Sequence, residues 1–211
     1  MVKAEREEYE RACLSREALK KNPIDQLRQW WLDAINASVR ASDAVSLATV
    51  DEAGHPDSRI VLLKGFDEEG LVFFTNYNSA KAIQLERHPY ASLTIFWPQL
   101  ERQVRVRGFV QRCAREESER YFKTRPRGSQ IAAWASPQSN TLASREELLL
   151  AYEAAKERFL AEADVPCPEH WGGYRVIPNS FEFWQGRKDR LHDRFLYTLS
   201  EDVWKISRLA P

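Results

Sequence analysis

A series of short β-type segments joined by tight turns constrains the fold of this chain more than any other feature. Runs rich in β-branched and aromatic residues occupy 44–50 (AVSLATV), 58–64 (SRIVLLK) and 71–75 (LVFFT). The segments between them contain DEAGHP and DEEG, which are both turn-like. Because turns this short join neighbouring strands of opposite direction, the sequence predicts an antiparallel meander.

The rest of the chain adds strands and helices to this meander. We predict further strands at 92–97, 102–113, 172–186, 190–197 and 203–209. We predict helices at 23–40, 79–89, 116–126, 128–136 and 144–163. This pattern favours a mainly β fold with helices (α+β), built as a closed or nearly closed antiparallel β-barrel with peripheral helices. Residues 1–21 are polar, so we expect a flexible N-terminal arm before a single domain at 22–211.

Composition and charge argue against several classes of protein. Lys+Arg and Asp+Glu both number 31, and the resulting zero net charge argues against a nucleic-acid or membrane-surface binder. No apolar run approaches the roughly 18 residues of a membrane span, and the charged start is not expected to be a secretory signal. Cys13, Cys113 and Cys167 are far apart, as expected for reduced thiols in a cytoplasmic protein. No dinucleotide fingerprint, P-loop or metal-ligand spacing occurs, so no metal is expected.

Two stretches place cationic and hydroxyl groups where a phosphate could bind. Arg59 and Lys64 bracket four apolar residues of one predicted strand. Their odd separation directs them to opposite faces, so they serve different ligands, different ends of one site, or only the solvated ends of a strand. Ser79 and Lys81 lie at a predicted helix start, whose free N–H groups and positive dipole end suit phosphate. Ordinary N-capping by Asn78 or Ser79 is the alternative.

A third stretch surrounds Pro126. Tyr121 and Arg125 are four residues apart on a predicted helix, and Ser129 lies near the start of the next one. Because a proline disfavours helical geometry in the residue before it, the first helix is expected to end at Arg125. A phenol, a guanidinium and a hydroxyl could therefore converge on one anion at this break. A solvated basic helix end, favoured by the helix dipole, is the equal alternative.

The segment RLHDRF places Arg190, His192 and Arg194 at every second position. On a strand these three side chains share one face. Like charges on one face cost stability unless a bound anion compensates them. Together with the three stretches above, this pattern favours more than one anionic ligand. A phosphorylated cofactor and a phosphorylated substrate would account for that number.

Several blocks resemble the pyridoxine/pyridoxamine 5′-phosphate oxidase family, in the family's order, over almost the whole chain from about residue 22. They are RIVLLK, FFTNYNSAK, ERQVRVRG, SQIAAWASPQS, WGGYRV, EFWQGRKDRLHDRF and the terminal WKISRLAP. The resemblance implies an FMN-binding split β-barrel and a homodimer with FMN at the subunit interface. It also implies that O2 oxidises pyridoxine 5′-phosphate or pyridoxamine 5′-phosphate to pyridoxal 5′-phosphate, with H2O2 as product and NH3 released from the amine.

The resemblance implies the site residues as well. The family's FMN contacts correspond to Arg59, Ile60, Val61, Leu62, Leu63, Lys64, Phe74, Thr75, Lys81, Gln103, Gln138, Ser139, Trp184 and Arg194. Its substrate contacts correspond to Lys64, Tyr121, Arg125, Ser129, Arg190 and His192. Arg190 and His192 are the expected catalytic pair, because they would orient the substrate for hydride transfer, and His192 could also assist proton removal. Many members carry an arginine where this chain has Ala80, which removes one expected contact to the FMN phosphate. Arg6 and Tyr9 only loosely match a segment that folds over the substrate.

Three other functions stay open at this point. The closest is another split-barrel flavin oxidase, such as a phenazine-pathway enzyme, although the YFKTR…S set and WGGYRV favour the vitamin B6 enzyme. A non-catalytic flavin-binding module or a small barrel that binds nucleic acid belongs to a different class. Either binding module would release no peroxide, and a nucleic-acid binder would show steep salt dependence.

Overall fold

Strands and helices follow one another along residues 8–211, the part of the chain that this computed structural model describes. The strands are β1 (Ala44–Val50), β2 (Pro56–Asp67), β3 (Gly70–Asn76), β4 (Tyr90–Trp97), β5 (Arg102–Arg112), β6 (Trp171–Gln185), β7 (Asp193–Ser200) and β8 (Val203–Leu209). The helices are α1 (Pro23–Asn36), α2 (Ala80–Arg87), α3 (Arg115–Thr124), α4 (Arg127–Ala135) and α5 (Arg145–Arg158). Short 3-10 turns occupy Pro98–Leu100 and Lys188–Arg190.

The strand order closes a six-stranded antiparallel barrel. Neighbours in the sheet are β3-β2-β1-β4-β5-β6-β7-β8, and β3 additionally pairs with β6. That extra pairing joins the two ends of the β3-to-β6 set, while β7 and β8 continue outward from β6. Closure satisfies the strand edges that an open sheet would leave unpaired. The predicted antiparallel barrel with peripheral helices is confirmed.

Alternation along the strands separates the barrel interior from its outward face. Val45 and Leu47 of β1 and Val104 of β5 are buried inside the barrel, with at most 1% of their surface exposed. On the opposite face of β2, Ile60 and Leu62 are 66% and 46% exposed. Large apolar side chains grouped on an outward face are typical of a surface that another molecule covers.

The helices pack against the barrel and against each other in two separate cores. The Asn22 side chain caps α1 by accepting a hydrogen bond of 2.8 Å from the Ile24 N–H. The Trp30 ring on this helix meets the Phe183 ring of β6 edge-on at 5.2 Å. A smaller core joins α3, α4 and α5 to the start of β6, and it contains Phe122, Ile131, Phe159, Val165 and Trp171. This smaller core fixes the junction between α3 and α4, which borders the candidate site.

The predicted strand over 190–197 is wrong for its first three residues. Arg190 ends the 3-10 turn, Leu191 and His192 have no regular secondary structure, and β7 begins only at Asp193. Asp189 and Arg190 have φ angles of 55° and 61°, in the left-handed region, so the backbone departs from an extended path. Arg190 therefore does not share a strand face with Arg194.

Two predicted helices end at least four residues before the position that their sequence patterns indicate. The first, predicted over 23–40, ends at Asn36, because Ser38 adopts left-handed backbone with a φ angle of 54°. The second, predicted over 144–163, ends at Arg158, because Phe159 leaves the helical path as the C-cap and residues 159–161 form turns. Both endings depend on local turns that apolar spacing does not report.

Residues 8–22 run along the barrel without regular secondary structure. Leu14 and Leu19 belong to the main core, and the Leu14 N–H donates a hydrogen bond of 3.0 Å to the Asp193 carboxylate. The flexible arm expected at 1–21 stays a prediction. Arg6 lies outside the described residues.

Several features of other protein classes are absent from the described part of the chain. No helix within residues 8–211 combines the length and apolar character needed to cross a membrane. The same residues contain no group of three or more His, Cys, Asp or Glu side chains placed to hold a metal ion. Cys13, Cys113 and Cys167 are free thiols.

Candidate active site

Residues from β2, β3, α2, α3 and α4 converge on one cavity of about 520 Å³. The lining residues are Arg59, Ile60, Val61, Leu62, Lys64, Phe74, Thr75, Lys81, Tyr121, Thr124, Arg125, Pro126, Ser129, Gln138 and Trp171. The three stretches that the sequence predicts as anion-binding thus meet in one place. The barrel strands and the α3–α4 junction bring them together although they are far apart in the chain.

Lys81 is the most buried cation of this cavity, at 9% exposure. Its ammonium donates hydrogen bonds of 3.0–3.2 Å to side-chain oxygens of Thr75, Ser79 and Gln138. Within residues 8–211 no carboxylate lies within salt-bridge distance of it. Burial, reinforced by the positive charge of Arg59, lowers the pKa of Lys81 to about 8. A buried cation that no carboxylate contacts directly, surrounded by neutral polar groups, is suited to bind an anion.

Arg125 is a second cation that lacks an acceptor. It ends α3 in extended backbone, as the following Pro126 requires. Its guanidinium lies 4.7 Å from the centre of the Trp171 ring. Its Nη1 is buried and has no hydrogen-bond partner among the described residues, and burial lowers the pKa of the group. A buried donor of this kind costs free energy unless a ligand supplies an acceptor.

Arg59 and Lys64, by contrast, already have acidic partners. Arg59 forms an ion pair with Asp57, and the Lys64 Nζ lies 2.7 Å from the Asp43 carboxylate. Both cations line the same cavity, which supports the alternative that they serve one site. A register irregularity between Leu63 and Gly65 interrupts the strict alternation of the strand, so an odd separation no longer forces opposite faces.

The cavity also has flat apolar walls, and its chemistry fits FMN. The Phe74 ring stacks on Tyr121 at 4.0 Å and lies nearly parallel to Trp171 at 5.5 Å. Ile60 and Leu62 add aliphatic surface. An uncompensated buried ammonium suits the dianionic phosphate of FMN, and apolar walls suit its planar ring.

Some predicted residues do not line this cavity. They are Leu63, Gln103, Ser139, Trp184, Arg190, His192 and Arg194. Leu63 is 3% exposed in the main core, so its side chain is directed away from a ligand. The Ser139 hydroxyl accepts a hydrogen bond of 3.1 Å from the Ala80 N–H at the start of α2, immediately before Lys81. The others form a second group.

This second group is organised around the Trp184 side chain. Gln103 of β5 and Arg194 of β7 are the register partners of Trp184 on either side. The His192 ring lies 4.7 Å from the Trp184 ring. The Tyr9 ring lies 5.6 Å from the same tryptophan, edge-on, so the loosely predicted N-terminal residue does reach this group.

His192 has a defined hydrogen-bonding state. Its Nδ1 lies 3.1 Å from the Arg187 backbone N–H and accepts a hydrogen bond from it. The proton of the neutral ring is therefore on Nε2. Burial first, and then the positive charges of Arg190 and Arg194, lower the pKa of His192. The ring is therefore a neutral Nε2–H donor near pH 7.

The sequence interpretation missed several residues that shape the site. Asp57 lies two positions before Arg59 on one strand, and that spacing could have indicated the ion pair. Trp171 begins the WGGYRV block, but its aromatic ring had no assigned role. Asp43 and Gln84 approach the site from distant parts of the chain, so no local pattern indicates them.

Two family models match this chain. The model described as "Pyridoxamine 5'-phosphate oxidase" matches residues 32–159. The model described as "Pyridoxine 5'-phosphate oxidase C-terminal dimerisation region" matches residues 171–211. A pyridoxine/pyridoxamine 5′-phosphate oxidase from Rippkaea orientalis is 50% identical over 211 residues, covering 100% of this chain and 99% of that protein. A protein of the same name from Pseudomonas syringae pv. syringae is 48% identical over 208 residues, covering 98% and 96%.

Solved structures show the same fold. PhzG from Burkholderia lata, in complex with tetrahydrophenazine-1-carboxylic acid, has a TM-score of 0.87 at 29% identity and covers 92% of this chain and 95% of that chain. A pyridoxamine 5′-phosphate oxidase-related, FMN-binding protein from Nostoc punctiforme has a TM-score of 0.73 at 19% identity, over 90% and 98%. The second likeness supports the fold alone.

Proposed function

The chain belongs to the pyridoxamine 5′-phosphate oxidase family, and we propose that its two groups of site residues form one FMN site across the subunits of its homodimer. It is a pyridoxal 5′-phosphate synthase: O2 oxidises pyridoxine 5′-phosphate or pyridoxamine 5′-phosphate to pyridoxal 5′-phosphate, with H2O2 as product and NH3 released from the amine. FMN supplies the two-electron chemistry when bound. The residues of this chain bind and orient the reactants.

One observation carries this assignment: Lys81 and Arg125 lie in the same cavity, and no carboxylate of residues 8–211 forms an ion pair with either cation. Each calls for its own anion, because a buried charge without a partner is costly. A phosphorylated cofactor and a phosphorylated substrate provide two such anions.

We assign the FMN phosphate to Lys81, Arg59 and the Ser139 hydroxyl at the start of α2. Arginine and lysine both bind phosphate strongly, and the first turn of a helix adds free N–H groups. The β2 segment 59–64, with Phe74 and Thr75, would form the wall beside the flavin ring. Gln138 from this group, together with Gln103, Trp184 and Arg194 from the second group, would face the ring and its polar edge.

The substrate phosphate is assigned to the α3–α4 junction. Arg125 supplies an unused donor, Tyr121 and Ser129 supply hydroxyl groups, and Lys64 supplies a further cation. Such a clamp would hold the reacting carbon of the substrate against the flavin, which is the positioning that hydride transfer needs.

Arg190 and His192 are assigned to the opposite side of the substrate ring. The neutral His192 ring would donate from Nε2, while Arg190 would contribute positive charge near the pyridine ring. In this arrangement both residues orient the substrate and tune the local potential. Proton removal by His192 is a second proposed role.

Two observations support a site shared between subunits. The second group lies within residues 171–211 except for Gln103, and that range matches the dimerisation region. The exposed Ile60 and Leu62 lie beside the cavity on the outward face of β2. A partner subunit that covers these side chains would bring its own Trp184 group to the cavity.

We further propose that the enzyme works in the cytoplasm. Three free thiols support a reducing compartment. Cell fractionation followed by immunoblotting would test this, and recovery outside the cytoplasmic fraction would contradict it.

The reaction is tested with the purified full-length chain and FMN under air. We expect a yellow flavin spectrum, and formation of pyridoxal 5′-phosphate and H2O2 from both phosphorylated substrates. The likeness to PhzG makes a reduced phenazine carboxylic acid the second candidate substrate, to be assayed in parallel. Turnover of the phenazine compound without turnover of either B6 compound would contradict the assignment.

The shared site is tested by mixing impaired subunits at a substrate concentration well below the wild-type KM, where each variant alone turns over little substrate. Co-expressed Arg125→Ala and Arg190→Ala chains should form heterodimers with one intact site of two. Random pairing makes about half of all dimers mixed, so about a quarter of wild-type activity should return. Mixing Arg125→Ala with Lys64→Ala, which are both in the first group, should restore nothing. Equal failure of both mixtures would mean that each site lies within one subunit.

A further inference from the structure

Glu182 contacts Arg194 of the second group and has no role in the proposed reaction so far. It is on the outward face of β6, with Arg105 of β5 and Leu196 of β7 as its register partners. Only 7% of its surface is exposed. A carboxylate buried to this extent needs compensating partners.

Two arginines share this carboxylate, one on each oxygen. Arg105 donates from Nη1 to Oε2 at 3.1 Å. Arg194 donates from Nε to Oε1 at 2.9 Å, and its Nη2 lies 2.8 Å from the same oxygen. Glu182 therefore separates two guanidiniums that would otherwise repel each other across the outward face of the sheet.

The Arg194 guanidinium is also held from a second direction. Its Nη1 donates a hydrogen bond of 2.8 Å to the backbone carbonyl of Ala210. The contacts to Glu182 and Ala210 engage each of its three nitrogens once, which leaves two of the five N–H donors of a guanidinium for a ligand. The orientation of these two donors is thus fixed by the protein itself.

We propose that Glu182 is a positioning residue for FMN, which it serves by holding the Arg194 guanidinium ready to meet the cofactor. This inference rests on the proposed function, in which Arg194 faces the flavin. Without the carboxylate, the long arginine side chain regains rotamer freedom, and FMN binding has to order it again. The neighbouring charge of Arg105 would also push it out of position.

The test measures FMN affinity of the full-length apoprotein by quenching of flavin fluorescence. Four proteins are compared: wild type, Glu182→Gln, Arg194→Ala and the double variant. Glu182→Gln should weaken FMN binding about tenfold, the order expected for one lost charged hydrogen bond. If Glu182 acts through Arg194, the double variant binds FMN no more weakly than Arg194→Ala alone. Additive losses in the double variant would overturn the inference.

Arg105→Gln is the matched control. It removes the other partner of the same carboxylate and leaves the contact between Glu182 and Arg194 in place. We expect an FMN dissociation constant within about twofold of wild type. A loss as large as that of Glu182→Gln would mean that the carboxylate acts only on the stability of the sheet, and this would overturn the inference.

Two further readouts keep the test decisive. The melting temperature and sedimentation of each apoprotein show whether it is folded and dimeric. If Glu182→Gln does not fold, Glu182→Asp replaces it, because the shorter side chain also withdraws from Arg194. Normal affinity in Glu182→Gln with weak binding in Arg194→Ala overturns this inference alone. Normal affinity in Arg194→Ala overturns both this inference and the assignment of Arg194 to the flavin.

Discussion

The Arg125 guanidinium lies 4.7 Å from the centre of the Trp171 ring, while its buried Nη1 has no hydrogen-bond partner among residues 8–211. The aromatic face attracts the cation through its quadrupole but offers no acceptor for the N–H groups. The group is therefore fixed in place and still has a donor to use. This is the arrangement expected of a ligand-binding arginine, because a structural one would have its donors satisfied.

Arg125→Ala should raise KM for pyridoxine 5′-phosphate by roughly 10- to 100-fold, the range expected for a lost charged hydrogen bond. FMN affinity should stay near that of wild type, because the proposed arrangement assigns the cofactor phosphate to Lys81 and not to Arg125. Steady-state kinetics with saturating FMN measure the first quantity, and flavin fluorescence measures the second. Arg120→Ala, on the exposed side of the same helix, is the control and should leave KM unchanged. An unchanged KM in Arg125→Ala would remove this residue from the phosphate clamp.

FMN affinity should depend on the protonation of Lys81, whose pKa in the apoprotein is about 8. Bound phosphate favours the charged ammonium, so binding above that pH requires proton uptake. The dissociation constant for FMN should be nearly constant between about pH 7 and 8, where its phosphate is a dianion, and rise toward tenfold per unit above pH 8. Fluorescence titrations at several pH values check this slope.

The control for this pH dependence is Lys81→Met, which should bind FMN weakly with a much flatter profile. The pH dependence of folding stability in the apoprotein provides an independent check on this pKa. Because the folded pKa of Lys81 is below the ordinary lysine value of 10.5, the unfolded chain binds more protons between about pH 8 and 10.5. This group therefore makes wild-type stability rise with pH in that window. A flat affinity profile in wild type would show that Lys81 does not contact the phosphate.

The features that depend on residues close together in the chain could be predicted from the sequence. Alternating runs and tight turns predicted the meander, and Pro126 predicted the helix end at Arg125, because both effects act between near neighbours. The position of Lys81 in the first turn of a predicted helix indicated an anion site, but only the resemblance supplied Gln138, which lies 57 positions away and accepts a hydrogen bond from Lys81. No spacing rule would have paired them.

The predictions that were wrong and the residues that were missed depend on the backbone path and on contacts between residues far apart in the chain. The left-handed backbone at Asp189 and Arg190 breaks a regular alternation that looked like a strand. The pairing of Glu182 with Arg194 follows from the register between β6 and β7, which the sequence does not display. Trp184 and its neighbours do not line the cavity, and only the three-dimensional arrangement of the strands shows this.

Ala80→Arg should tighten FMN binding by about tenfold, because it adds a guanidinium at the first position of α2, next to Lys81. A cation at a helix N-terminus is unfavourable, so the apoprotein should melt at a slightly lower temperature. Fluorescence titration and thermal melting measure the two effects. Ala80→Gln, similar in reach but uncharged, should change neither by much. Equal affinity in the arginine and glutamine variants would mean that residue 80 does not approach the phosphate.

Activity should fall in acid because His192 takes up a proton. Its pKa lies below the ordinary value of 6.5, so we expect the fall below that pH. Protonation occurs at Nδ1 and breaks the hydrogen bond from the Arg187 N–H, so the folded, active ring is neutral. His192→Asn, which keeps an acceptor for that N–H, should lower kcat by about tenfold. The ratio of wild-type to variant kcat/KM should be constant at neutral pH and shrink below pH 6.5. This ratio cancels the titration of the substrate phosphate itself. His55→Gln, at an exposed turn, should keep the wild-type profile, and a ratio that does not change with pH would exclude His192 as the titrating group.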